Sequence, residues 1–244
     1  MKAPALPLIL VALAAPVASQ AGTFSPPDGC TTYLTIQAKG CVVSELYTCK
    51  ADPKGDQWRA DFGANGPVFI SQTDSQTNWI ASYDINPPTR ETMDPHPKDP
   101  ANFDELVATG LDTFDFSLSK SDGTHSTVKG FDKLTGKSVT IDGVPLKQTE
   151  YEYTQTDDKG NVLVHSKGHE YISEKWRTFL SGVSQWEGKD GKWTTYDNTP
   201  VKFYRPGDTG FGATVPLYDC QGQAASLTLP LAAPGKLVPA ALKK

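Results

Sequence analysis

Four histidines, two methionines and four cysteines are all that this 244-residue chain offers of the side chains that usually hold metals or do redox chemistry. The histidines stand at 96, 125, 165 and 169. His165 and His169 have the H-x3-H spacing that places two ligands on one face of a helix. The surrounding "NVLVHSKGHEYI" alternates like a strand, where residues four apart lie about 13 Å from each other, too far for one ion. The cysteines form no C-x2-C zinc pair and no redox C-x-x-C. No metal and no cofactor is expected. A nucleophile elbow G-x-S-x-G is missing, since "SGVS" at 181–184 lacks the second glycine and a helix. No phosphate-cradling glycine loop is present. "DDKGN" at 157–161 matches a calcium loop only in part and reads as a turn.

Basic stripes are lacking as well. Lys and Arg number 23 against 28 Asp and Glu, a net charge of −5. A nucleic-acid partner needs a basic patch and is not expected. Long apolar runs are confined to the N-terminus. There, Met1-Lys2 precedes "LPLILVALAAPV" (6–17), and Ser19 and Ala21 sit at the −3 and −1 positions of a cleavage site before Gly22. That is the layout of a secretory signal peptide over 1–21. The apolar run is about 12 residues, whereas spanning a bilayer takes roughly 20. The first cysteine, Cys30, lies too far downstream for lipid anchoring at the cleavage point. A periplasmic or secreted protein with no transmembrane segment after signal removal is the expectation.

What the chain has in quantity is period-two alternation. Trp58, Ala60 and Phe62 fall on one side of "WRADF"; Trp79, Ala81, Tyr83 and Ile85 on one side of "WIASYDI"; Phe114, Phe116 and Leu118 on one side of "FDFSL". Turn signals separate the runs, among them Lys39-Gly40, "GANG" (63–66), "SDG" (121–123), "DDKGN" and "KDGK" (189–192). These patterns predict an all-β fold of some ten strands over 22–220: a curved antiparallel meander, half-barrel or barrel-like, in a single domain. One or two short helices are expected, with "ANFDELVAT" (101–109) the clearest. "YISEKWRTFLSGVSQW" (171–186) reads as a strand pair broken near Gly182. The segment 221–244, rich in Ala, Leu and Pro, reads as a poorly ordered tail, because its prolines interrupt any strand or helix.

Thiols in a secreted chain pair. If Lys39-Gly40 is a two-residue turn, residues whose numbers total 79 face each other, and Cys30 meets Cys49. Cys41 then goes to Cys220. The alternative, Cys30–Cys41 with Cys49–Cys220, needs a different turn.

Aromatics carry the best functional hint. If the sheet curls, Trp58, Phe62, Trp79, Tyr83, Phe114 and Phe116 would line an apolar groove for a small molecule or lipid; otherwise they pack an ordinary β core. The acidic residues Asp112, Asp115, Glu150, Glu152, Glu170 and Glu174 read as solvated strand faces. Glycosidase-like chemistry would need two of them to converge.

The stretch "WRADFGANGPVFISQTDSQTNWIASYD" (58–84), a strand, a turn and a strand followed by W-x-x-x-Y-D, resembles the early sheet of the periplasmic lipoprotein carriers. That resemblance implies a strongly curved half-barrel around a cavity for acyl chains. Four cysteines and a single evident helix depart from the carriers' pattern, and no site residue is carried over. The chain as a whole is also similar to small secreted proteins of alphaproteobacteria. Three functions therefore stand as expectations: a non-enzymatic binding or carrier module for an apolar or amphipathic ligand, an envelope structural or interaction module, and a carboxylate-based hydrolase. Oligomeric state is not legible.

Overall fold

The computed structural model describes residues 22–220. The proposed signal peptide (1–21) and tail (221–244) lie outside the described residues. Thirteen strands follow one another along the chain: β1 (Cys30–Ala38), β2 (Val42–Cys49), β3 (Gln57–Gly63), β4 (Gly66–Thr73), β5 (Trp79–Ile85), β6 (Pro88–Met93), β7 (Leu111–Lys120), β8 (His125–Ile141), β9 (Val144–Asp157), β10 (Val162–Ser173), β11 (Thr178–Glu187), β12 (Trp193–Asp197) and β13 (Pro200–Tyr204). A single helix, α1 (Phe103–Thr109), precedes β7. Every pairing is antiparallel between chain neighbours except the last. β13 pairs with β1, which makes one open sheet in the order β12-β11-β10-β9-β8-β7-β6-β5-β4-β3-β2-β1-β13.

The sheet curls until its edges meet. Only Asn198 and Thr199 separate the end of β12 from the start of β13, although those strands are the two edges. The connecting residues bond to both sides of the gap: Asn198 N–H donates to the Gly182 carbonyl (2.9 Å), and Lys39 N–H donates to the Thr199 carbonyl (3.0 Å). Curling lets strands far apart in the order share one core on the concave face. Leu34 and Ile36 of β1, Leu46 of β2, Val144 and Leu146 of β9, Leu180 of β11 and Phe203 of β13 form it.

The long β8–β9 hairpin reaches across this face to the edge strand. At its tip, Asp142 accepts from Lys202 Nζ (2.6 Å) and from the backbone N–H of Phe203 (2.9 Å). The carboxylate thus takes an edge-strand donor that the sheet leaves unpaired. Lys202 and that N–H hold the Asp142 carboxyl below its usual range.

On the convex face, β1–β3 are covered by Phe24, ahead of β1, and by the segment that follows β13. Phe24 packs on Tyr47 (5.5 Å between rings) and Phe62 (5.7 Å). The segment after β13 lies over Thr35 and Gln37: Gly212 N–H donates to Thr35 Oγ1 (2.8 Å), while Gln37 donates to the Val215 carbonyl (3.0 Å) and accepts from Leu217 N–H (2.9 Å). Beneath it Glu45, fully buried, accepts from Thr35 Oγ1 (2.8 Å), and its other oxygen has no partner. Burial pushes its carboxyl up to about 8.

Both expected disulfides are formed, Cys30–Cys49 and Cys41–Cys220. The first arises by a different route than a two-residue turn. The connection comprises Lys39, Gly40 and Cys41, the last two left-handed, so the pairs beside it are Ala38↔Val42 and Leu34↔Leu46. A bulge at Tyr33 removes the extra step, and beyond it Thr32 faces Tyr47 and Cys30 faces Cys49. The second disulfide closes a loop of 179 residues, worth about 5 kcal/mol in a chain-entropy account.

The helix is shorter than the 101–109 expectation. Asn102 caps its start by accepting from Glu105 N–H (3.0 Å), and Gly110 ends it in the left-handed region. Phe103 and Leu106 pack on Ile172 of β10, so the helix covers one end of the concave face. The β10–β11 break lies at Glu174–Arg177 rather than near Gly182. Gly182 sits inside β11, where a Cβ would collide with the carbonyl of His169. Among the described residues no helix is long and apolar enough to cross a membrane.

Two outcomes are expected. Replacing Asp142 with Ala should lower urea-denaturation stability by about 1 kcal/mol, the net worth of the lost edge hydrogen bond. Because the folded carboxyl lies below its usual range, the difference should shrink as the medium is acidified. Glu45 behaves oppositely. The folded state keeps its proton up to about 8 against 4.5 ordinarily, so its contribution is complete below about 4.5 and is lost as pH rises toward 8. Glu45→Gln should match the native chain near pH 4.5 and exceed it in stability by a margin growing about 1.4 kcal/mol per pH unit above that. A flat margin across that range would refute the assignment.

Candidate functional site

The concave face holds two adjoining clefts, each of about 240 Å3, that share Thr77, Trp79 and Phe179 in their walls. The first runs over β2–β4, past Leu46, Gln57, Arg59, Phe69 and Ser71. The second runs over β7–β10, past Phe114, Phe116, Asp132, Tyr151, Tyr153 and Glu170, with Trp186 at its exposed rim.

The six aromatics named from sequence divide between the two faces. Trp79, Phe114 and Phe116 line the second cleft, and Trp79 also lines the first. Phe62 and Tyr83 line neither. Trp58 borders the first cleft, but its ring stacks on Tyr47 (6.0 Å) and Tyr83 (6.2 Å), and its N–H donates to Asp52 (2.7 Å). Trp58, Ala60 and Phe62 face Tyr47, Glu45 and Val43, the convex set, so β3 turns Gln57, Arg59 and Asp61 inward.

Trp79 and Tyr83 part company through a bulge. Gln72 pairs with Ala81 and Thr73 with Trp79, which leaves Ile80 as an extra residue. That insertion rotates Trp79 onto Phe114, Phe116 and Tyr153, while Tyr83 stays outside beneath Arg90. A strict alternation puts Trp79 and Tyr83 on one side; the bulge at Ile80 is what separates them.

The charged groups of the clefts come from strand faces that alternate as if solvated. Arg59 donates through Nε to Asp61 (2.7 Å) and through Nη2 to Ser181 Oγ (3.3 Å), tying β3 to β11 across the curl. Glu170 and Asp132 both face the second cleft, and neither has a hydrogen-bond or ion-pair partner among the described residues. Burial raises Glu170 to about 7, with Arg59 pulling the other way. Burial also raises Asp132 well above the usual carboxylate range, and the charges of Glu170 and Asp112 add to it. Asp112, buried, accepts from Asn102 N–H (3.0 Å) and is pushed up to about 6, chiefly by burial.

Of the other acids noted in the sequence, Asp115 pairs with Lys98 and Lys129, Glu150 with Lys133, Glu174 with Lys147, and Glu152 with His165. These are solvated ion pairs. His165 also binds Glu187 through Nδ1 (2.7 Å) and packs against Trp193 (4.9 Å between rings). The two carboxylates hold its ring nitrogens protonated above the usual range. His165 braces β9, β10 and β11, 22 positions from Glu187, and shares no ligand shell with His169. Among the described residues no group of three or more His, Cys, Asp and Glu is arranged to hold a metal ion.

Comparison of the chain with protein-family models, with curated proteins and with solved structures finds no match in any of the three.

A carboxyl-resolved NMR titration should place the Glu170 midpoint near 7 and that of Asp132 above the ordinary carboxylate range. In Glu170→Gln the Asp132 midpoint should fall, because a neighbouring negative charge is gone. An unchanged Asp132 midpoint would show that the two groups do not sense each other.

Proposed function

We propose that this chain is a binding module that holds an apolar or amphipathic small molecule on the concave face of its curled sheet. The observation that carries this reading is that the two clefts adjoin and share Thr77, Trp79 and Phe179, with aromatic walls on both sides of the junction. Small-molecule sites begin at about 300 Å3 and are mostly apolar with a few polar groups. One cleft alone, at about 240 Å3, falls just below that size, and the adjoining pair together exceeds it. The lipoprotein-carrier resemblance of 58–84 points the same way, toward an acyl chain or similar ligand. The disulfides and the signal-like N-terminus support a periplasmic or secreted location.

A second reading, a carboxylate-based hydrolase, is favoured by one specific observation. Asp132 and Glu170 face one cleft, and their raised proton affinities suit an acid–base pair. It accounts for the acids but leaves the aromatic groove beyond them without a role.

The test uses N-phenyl-1-naphthylamine, an uncharged apolar fluorophore, and native mass spectrometry of protein purified from its own host. The fluorophore should brighten on binding, and a retained small molecule should appear as added mass. Thr77→Trp, which sets an indole at the junction of the clefts, should weaken fluorophore binding at least tenfold. Binding that is absent in the parent chain, or untouched in the variant, would remove the groove as the site.

A further inference from the structure

The walls of the second cleft select a charge. Among the described residues it is bordered by two carboxylates, Asp132 and Glu170, and by no lysine or arginine. Its remaining polar side chains are Thr77 at the junction and the aromatic Tyr151, Tyr153, Trp79 and Trp186. Tyr151 is already engaged with Ser166 Oγ (3.2 Å). The Trp79 N–H is buried and has no partner. The nearest guanidinium, Arg59, lies in the other cleft and is committed to Asp61 and Ser181.

Two carboxylates turned into an apolar cleft without partners cost folding free energy. Apolar side chains of similar size would serve stability better. The faces of Trp, Tyr and Phe rings carry negative potential, so they attract a cation and repel an anion. Acids and rings therefore point to the same sign of charge. The space is too large for a bare ion, and the flanking side chains make no metal-binding group among the described residues. It suits a substituted ammonium. Beyond Trp79 and Phe179 the first cleft offers Leu46 and Phe69 to an alkyl chain.

We propose that the ligand is an amphipathic amine, whose ammonium group sits between Asp132 and Glu170 against the aromatic walls and whose apolar part runs past Trp79 into the adjoining cleft. This rests on the reading of the concave face as a ligand groove. Binding also follows the protonation of the site. Burial raises Glu170 to about 7 and holds Asp132 well above the usual carboxylate range; Asp112 on β7 and Arg59 in the adjoining cleft are the other charged groups that act on them, with Tyr151 and Tyr153 on β9 uncharged. Below pH 6 the carboxyls are neutral and the attraction is lost.

Isothermal titration of the oxidised, full-length chain at pH 8 with octyltrimethylammonium, octanoate and octanol separates the possibilities. The first probe keeps its charge at every pH, so any pH dependence belongs to the protein. The cation is expected to bind at least tenfold more tightly than octanoate, and to weaken at least tenfold at pH 5.5. The double variant Asp132→Asn, Glu170→Gln should lose the preference and keep its affinity for octanol. Octanoate binding as tightly as the cation, or a preference that survives in the double variant, overturns the amine assignment alone. If octanol and the cation both fail to bind the parent chain, the groove reading falls with it.

Discussion

Asn198 and Thr199 carry the chain from one edge of the sheet to the other, and the rest of the structure depends on that closure. A flat sheet of thirteen strands would leave two open edges and no place to bury the residues of both ends. Curled, it puts Leu34 and Leu46 against Leu180 and Phe203, which lie near opposite ends of the strand order. The edges stay without a ladder between them, so the gap is managed by other groups: the backbone of Asn198 and Thr199, the Asp142 carboxylate on β13, and the Arg59–Ser181 contact across the interior. Edge strands left bare invite pairing with other chains. Here one edge is answered by the tip of the chain's own longest hairpin.

Closure also assigns different work to the two faces. The concave face is packed solid at one end and left hollow at the other, where Thr77, Ala101 and Phe179 border the clefts. The convex face of β1–β3 is covered by Phe24 and by the segment after β13. The Cys41–Cys220 bond fixes the covering segment in place over Thr35, Gln37 and Glu45. Buried polar groups are thus distributed unequally. On the convex side Thr35 and Gln37 meet backbone groups and Glu45 is held through one oxygen by Thr35, whereas Asp132 and Glu170 on the concave side face an open cleft. The second arrangement is costly for a fold and useful for a ligand.

Much of the architecture was legible because alternation and turn residues are local signals. Trp58-Ala60-Phe62 sharing a face, the Asp157–Asn161 turn and the helix before β7 all follow from a few neighbouring residues. So does the Cys30–Cys49 pair, though its register was reached through two deviations that cancel: one extra residue in the turn and one at Tyr33. The candidate site was far less legible. The bulge at Ile80 leaves no mark in a pattern of alternating apolar residues, yet it decides that Trp79 enters the groove and Tyr83 does not. Asp132 stands between Phe131 and Lys133, and Glu170 between His169 and Tyr171, as solvated strand residues do, and a strand pattern does not say which face a curled sheet will hide. A charged residue on the concave side of an aromatic-rich strand is the one signal that pointed to them, and it becomes visible only once the curvature is known.

By itself, the sequence determined the strand class and the meander order, and its spacing favoured the two cysteine pairs that form. These depend on side-chain period, turn chemistry and spacing, which act over a few residues or fix one crosslink. Only the tertiary structure decided which face of each strand is concave, where the interior stays open, and which acids lose their water. Those properties come from how far thirteen strands curl and where bulges interrupt them, a sum over the whole sheet that no single segment carries.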